Sequence, residues 1–318
     1  MIPHPTRDEG PPTTRARDGD GLDGAIAWRV VHTTAYRYSE PVPVCHNEVH
    51  LAPRDSSRQR VRRHRLDVTP PPAGVSDHTD VFGNRVGFFT VDEPHERLVV
   101  TSVSDVEVAV EPAAIPGDRP WEEVVAMVND RPGRESIWLR QFRLESPLVA
   151  WDADLVAWGG RSFPAGRPWC DAVLDLTRRI HGEFVYDPAA TTISTPVVEA
   201  FALRRGVCQD FAHLQIACLR ALGLPARYVS GYIGSDGGTD GAPSAQAFVG
   251  AHASHAWISC WGGPAGWIDL DPTNDCRGGA HHVTVAWGRD YGDVCPIKGV
   301  YVGGGDHAMD VGVRVERI

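Results

Sequence analysis

From Ile26 onward the chain alternates apolar and polar residues in short runs. Residues 27–32, 49–51 and 65–68 show the period of two that turns one face of a strand inward. Residues 86–91, 98–103 and 106–110 continue the pattern, with Pro70-Pro71-Pro72 and Phe82-Gly83-Asn84 as turns between them. Residues 26–112 therefore predict an all-β domain of sandwich type. Ahead of it, residues 1–25 are rich in Pro, Gly, Asp, Arg and Thr and have almost nothing to bury, the composition of a disordered tail. Residues 113–165 form a mixed connecting segment, with prolines and short helical pieces such as residues 121–127.

A helical period takes over after Arg167-Pro168, where Cys170, Val173, Leu174, Leu176, Thr177 and Ile180 make an apolar stripe. Thr195-Pro196 gives a cap and first-turn signal for a helix over 197–203. The next helix starts at Cys208 and turns Phe211, Leu214, Cys218, Ala221 and Leu222 inward. Gly223 ends it and Pro225 prevents its continuation. Strands are expected at 226–233, 255–261 and 267–271, with more at 283–286, 300–302 and 311–315. Residues 166–318 thus read as a core that carries the C-terminal strands, and the overall class is α+β.

Cys208 stands in a helix's first turn, where unpaired amides and the helix dipole favour a thiolate over a thiol. Gly206 just before it lets the backbone turn sharply. A base follows from strand arithmetic. If Trp261 pairs with Trp267 across the turn Gly262-Gly263-Pro264-Ala265-Gly266, then Asp271 faces Trp257 and lies diagonal to His255. With a side-chain period of two, His255, Trp257, Asp269 and Asp271 share one face. Cys208, His255 and Asp271 are therefore the expected nucleophile, base and orienting carboxylate. Asp269 is the weaker carboxylate because reaching His255 would need a larger register slip. Trp257 and Trp267 are candidates to shield the Asp–His bond. Cys218, on the apolar stripe, reads as an inert core cysteine.

Composition narrows the chemistry. With 31 basic and 41 acidic residues the net charge is -10, which argues against nucleic acid as a partner. The basic run of residues 58–65 alternates as a solvated strand face would. No stretch approaches the roughly 18 apolar residues of a membrane span, and the N-terminus lacks the apolar core of a signal peptide. Seven scattered cysteines without a C-x-x-C pair fit neither a disulfide framework nor a zinc ribbon. The setting expected is cytoplasmic and reducing, with no membrane partner. His213, His252, His255, His281 and His282 are numerous, but His213 is badly spaced from Cys208 on a helix, and no H-E-x-x-H occurs. His46 and His50 would lie roughly 13 Å apart on a strand. No metal or other cofactor is expected, and His281-His282 reads as a loop or strand edge.

Arg205-Gly206-Val207-Cys208-Gln209-Asp210-Phe211-Ala212, with the run from Leu219 to Tyr232, resembles the core of the bacterial transglutaminase-like superfamily. Ser254-His255-Ala256-Trp257 and Asp271-Pro272-Thr273-Asn274 resemble its histidine and aspartate motifs. Tyr186-Asp187-Pro188 and Gly288-Arg289-Asp290-Tyr291-Gly292-Asp293 frame them. His46-Asn47-Glu48, Pro53-Arg54-Asp55 and Asp80-Val81-Phe82-Gly83-Asn84 resemble the β domain that precedes this core in bacterial members. The resemblance implies a papain-like core with a Cys-His-Asp triad, Tyr186 as a candidate oxyanion donor, and a peptide or protein amide as substrate. It also implies a cysteine hydrolase, with amine transfer as the alternative and a non-catalytic binding module as a third reading. One departure stands out: Ile258-Ser259-Cys260-Trp261 lacks the acidic residue many relatives carry after the histidine.

Overall fold

The computed structural model describes residues 22, 24–110, 115, 119–130, 133–234, 248–250 and 253–318. All but three residues of the expected tail, together with His252, lie outside these. The chain opens with β1 (Ile26–Val42), β2 (Val44–Val49), β3 (Gln59–Thr69), β4 (Gly74–Thr79), β5 (Arg85–Val91) and β6 (His95–Val108). α1 (Trp121–Asp130), α2 (Arg134–Gln141) and α3 (Ala153–Gly160) occupy the connection. Then come α4 (Trp169–Glu183), β7 (Val185–Tyr186), α5 (Val197–Leu203), β8 (Arg205–Gly206) and α6 (Cys208–Ala221). β9 (Ala226–Ile233), β10 (His255–Trp261), β11 (Trp267–Asp271), β12 (Cys276–Arg277) and β13 (His282–Gly288) follow, then α7 (Tyr291–Val294), β14 (Ile297–Val302) and β15 (His307–Arg317). The α+β class is as expected.

The core sheet has the order β12-β11-β10-β9-β13, and α6 packs against β9 and β10. Every residue of β9 and β10 is buried, so their composition shows little alternation. The β-rich part holds two four-stranded sheets, β15-β1-β6-β3 and β14-β2-β5-β4. That arrangement corrects one expectation, because β14 and β15 do not extend the core. β15 pairs with β1 from Trp28↔Arg317 to Tyr38↔His307, and β14 pairs with β2. A period-two pattern marks a strand but carries no address for its neighbour.

Trp28 ties the two parts together. It is fully buried in one apolar cluster with residues of α4, α6, β9 and β10, and its indole Nε1 donates to Ala280 O at 2.7 Å. A second tie covers β13, the outer strand of the core sheet. Gln59 donates to Thr284 O at 2.7 Å and accepts from Thr284 N at 2.8 Å. Asn84 donates to Trp287 O at 2.9 Å and accepts from Trp287 N at 3.0 Å. Two side-chain amides thus do what a neighbouring strand would do for an open edge. Asn84→Ala leaves two backbone groups of Trp287 without these partners, and a loss of roughly 2–4 kcal/mol is expected in chemical denaturation. A change under about 0.5 kcal/mol would show that the edge is satisfied without Asn84.

Candidate active site

Gly206 is glycine because of a close approach. A Cβ there would lie 2.5 Å from Asp210 Oδ2, which accepts from Val207 N at 2.8 Å and from the Thr191 hydroxyl at 2.6 Å. Asp210 thereby closes the start of α6 around its first residue, the half-buried Cys208. Burial raises the Asp210 pKa, against the two donors that hold the charged form.

His255 opens β10. The pairs Trp261↔Trp267, Cys260↔Ile268, Ser259↔Asp269 and Ile258↔Leu270 form the register that the turn length implied. His255 and Asp271 meet as that register requires, with Nε2 2.9 Å from Asp271 Oδ2 and both side chains wholly inside. Nδ1 has no hydrogen-bond partner, and Cys208 lies close enough to act on the ring. Burial opposes charge on that ring, but the charge and hydrogen bond of Asp271, then Cys208, outweigh it and raise the His255 pKa to about 10. Burial likewise works against ionised Asp271, yet His255 and His282 hold its pKa well below the carboxylate range.

Asp271 is enclosed by donors. Oδ1 accepts from Thr273 N at 2.9 Å and Asn274 N at 3.2 Å, and Oδ2 also accepts from Asn274 Nδ2 at 2.8 Å. Sequence reasoning assigned no role to Asn274, although an Asp with Asn three residues on is a turn signal. His282, read as a loop or strand edge, does open the edge strand β13, but it is buried, with Nε2 3.2 Å from Asp271 Oδ2. Nothing in its spacing could have found it, since β13 and β11 are not neighbours in the sheet.

Tyr186 sits on β7 in register with Gly206, and its ring meets Phe211 edge-on at 6.4 Å. Its phenol pKa is raised by burial and then by the charge of Cys208. Asp269 lies farther along the same face, opposite Ser259, and supports the charges of Arg58 and Arg227. Trp257 stacks on His255 at 6.1 Å, whereas Trp267 packs on Phe142 and under Arg227, away from the pair. His213 is a core residue that accepts from Tyr291 N at 3.2 Å, and burial lowers its pKa to about 4. At the departure noted in the sequence, Ser259 lies opposite Arg227, and Ser259 Oγ and Arg227 Nε are both buried without a partner. Arg227 instead lies between Trp267 and Trp287, 4.3 and 3.6 Å from their ring centres.

Asp271, Cys276 and His282 bring possible metal ligands within 4.8 Å of one another. The protonation of His282 does not suit an ion. Gly279 N donates to its Nδ1 at 3.3 Å, which leaves the proton on Nε2, the atom aimed at Asp271. A metal there would need that nitrogen bare, so Asp271 and His282 form a hydrogen-bonded pair instead.

Comparison with known proteins gives the family and the fold. Residues 28–107 match the bacterial transglutaminase-like N-terminal region, and residues 164–272 match the transglutaminase-like superfamily. An uncharacterized protein of Mycobacterium tuberculosis is 41% identical over 304 residues, spanning 92% of this chain and 94% of its own. A protein-glutamine gamma-glutamyltransferase of Pseudomonas aeruginosa is 30% identical over 135 residues, 36% of this chain and 20% of the relative. The solved structure of a "Putative Cysteine Protease" from Cytophaga hutchinsonii has the same fold, with a TM-score of 0.69 at 21% identity over 92% of this chain and 91% of that one. The chain belongs to the transglutaminase-like superfamily, with the bacterial N-terminal β region ahead of its core. At that level its class is the cysteine-dependent hydrolases and acyltransferases.

Proposed function

We propose that the protein cleaves amide bonds in peptides or proteins through a thioester on Cys208. The supporting observation is the His255 ring, fixed at Nε2 by a buried carboxylate and left free at Nδ1 on the side of a helix-start cysteine. With its pKa raised to about 10, the His255 ring is protonated at neutral pH and has a proton to give. The thiolate attacks the carbonyl carbon, the C–N bond breaks, and His255 gives its proton to the departing amine. Water then attacks the thioester while His255 takes a proton from it, and Cys208 leaves as thiolate. The Cys208 amide and Tyr186 hydroxyl are the candidate donors to the oxyanion. The seven free cysteines support a reducing, cytoplasmic setting. Among the described residues no helix is long and apolar enough to cross a membrane.

Amine transfer is the second reading, supported by the name of the Pseudomonas relative. Both readings require Cys208 to react first. Limited iodoacetamide treatment followed by peptide mapping should modify Cys208 ahead of the other six cysteines. Burial raises the thiols of Cys45, Cys218, Cys260 and Cys276, the last three to about 12 or beyond. Prior modification of Cys45 or Cys295 with Cys208 untouched would refute the nucleophile. The fate of the thioester separates the readings. Water at about 55 M wins unless an amine is bound and oriented. Millimolar labelled amine should therefore enter only a minor share of the product of a glutamine-containing peptide. Dominant, saturable incorporation would favour the transferase.

A further inference from the structure

The Asp271 carboxylate is shared by two imidazoles. His255 Nε2 is 2.9 Å and His282 Nε2 3.2 Å from the same oxygen, Oδ2, and all three side chains are buried. The two histidines approach from different sides. His255 is on β10, beside β11, which ends at Asp271. His282 opens β13, on the opposite edge of the sheet with β9 and β10 between. It reaches Asp271 over the ends of those strands, where the residue paired with His255 is Gly231. Any side chain there would collide, since a Cβ would lie 2.1 Å from Val283 O and 2.5 Å from Trp257. Trp257 fills the space between the imidazoles, stacked on His255 at 6.1 Å and edge-on to His282 at 5.1 Å.

The two rings differ in what their second nitrogens do. His282 Nδ1 accepts from Gly279 N, so its Nε2 carries the proton and can only donate. His255 Nδ1 has no such partner, and Cys208 acts on the ring together with Asp271. One ring is therefore anchored at both ends, and the other is anchored at one end and free at the reacting end.

We propose that His282 is a positioning residue for the acyl transfer, a fixed N–H donor that holds Asp271 Oδ2 in the plane His255 needs. The proposal rests on the Cys208–His255–Asp271 reading above. Among the described residues, Oδ1 is held by backbone amides of its own turn, Thr273 and Asn274. At Oδ2, Asn274 belongs to that same turn, so besides His255 itself His282 is the donor that ties the carboxylate to the sheet. Without it the carboxylate can tilt with its turn and carry the His255 ring away from Cys208. Misplacements on the order of 1 Å are worth up to about 100-fold in rate.

The test uses the full chain with p-nitrophenyl acetate as acyl donor, and compares H282A, H282Q and H282N with D271N and C208A. Glutamine places an amide N–H near the position of imidazole Nε2, whereas asparagine stops at the position of Nδ1. H282A and H282N are expected to lose about 10- to 100-fold in kcat with KM within about twofold, and H282Q to recover most of the loss. Circular dichroism checks that each variant is folded, and H282Q keeps the test decisive if H282A is not. Equal loss in H282Q and H282N would assign His282 to packing and overturn the proposal. Full activity in H282A beside an inactive D271N would overturn it while sparing the triad. Full activity in C208A or D271N would remove the triad reading and this proposal with it.

Discussion

Asp271→Asn should fold and yet acylate Cys208 about 10³- to 10⁴-fold more slowly, on the scale seen when a triad carboxylate is neutralised elsewhere. The amide can still accept one hydrogen bond, but it supplies no charge to hold an imidazolium inside the protein. Burial alone disfavours the charged ring, and Asp271 is the main influence that reverses this. The alkaline limb of activity, set near pH 10 by His255, should therefore move to lower pH in the variant. The groups acting on the ring are Asp271 from β11 and Cys208 from α6, with His282 from β13 acting through Asp271. For stability the signs follow from the same shifts. The raised His255 pKa gives a contribution complete below about 6.5 and lost as pH rises through about 10. The depressed Asp271 pKa gives one present above about 3.9 and lost only in strong acid. Asp269→Asn should leave both rate and limb nearly unchanged, since that side chain lies toward Arg58 and Arg227. Rates of p-nitrophenyl acetate turnover from pH 5 to 11 would decide this, and an alkaline limb unmoved in Asp271→Asn would break the link between Asp271 and the ring's charge.

Arg220→Ala should be the most damaging change away from the site, costing about 3–5 kcal/mol in urea denaturation. Its guanidinium is buried on α6 and donates to three backbone carbonyls. Nε and Nη2 reach Ala226 O at 3.0 and 2.9 Å, Nη1 reaches Leu144 O at 3.0 Å, and Nη2 reaches Arg289 O at 2.6 Å. These carbonyls belong to the entry of β9, the loop after α2 and the segment before α7. Truncation opens a cavity and strips donors from all three at once. Burial lowers the pKa of this arginine to about 9, against the pull of Asp290, so the group remains charged at neutral pH. Arg220→Lys keeps a charge but cannot fork to three acceptors, and should recover only part of the loss. A change under about 1 kcal/mol for Arg220→Ala would mean that water replaces the guanidinium.

The helix that starts at Cys208, the β10–β11 hairpin and the meeting of His255 with Asp271 were legible because each depends on local spacing. A glycine turn, a five-residue loop and a period of two suffice to bring two side chains together. His282 was not legible, because its contact with Asp271 depends on which strand lies at the far edge of the sheet. The same blindness sent β14 and β15 to the wrong unit. Nothing in the spacing of Arg220 on α6 bears on its role, which depends on three separate segments packed around it. Trp267 shares a strand with Asp271, but its ring belongs to Phe142 and Arg227.

The pairing of β1 with β15 bears on how the molecule is made. Each sandwich sheet keeps one outer strand unfilled until residues 297–317 have left the ribosome, whereas the core sheet needs nothing beyond β13. The part whose synthesis starts first is therefore finished last, and the core can assemble between two halves of an incomplete sandwich. A chain truncated just past α7 should hold its thiol site on a sandwich with two bare edges, the state in which strand-to-strand association between chains is most favoured.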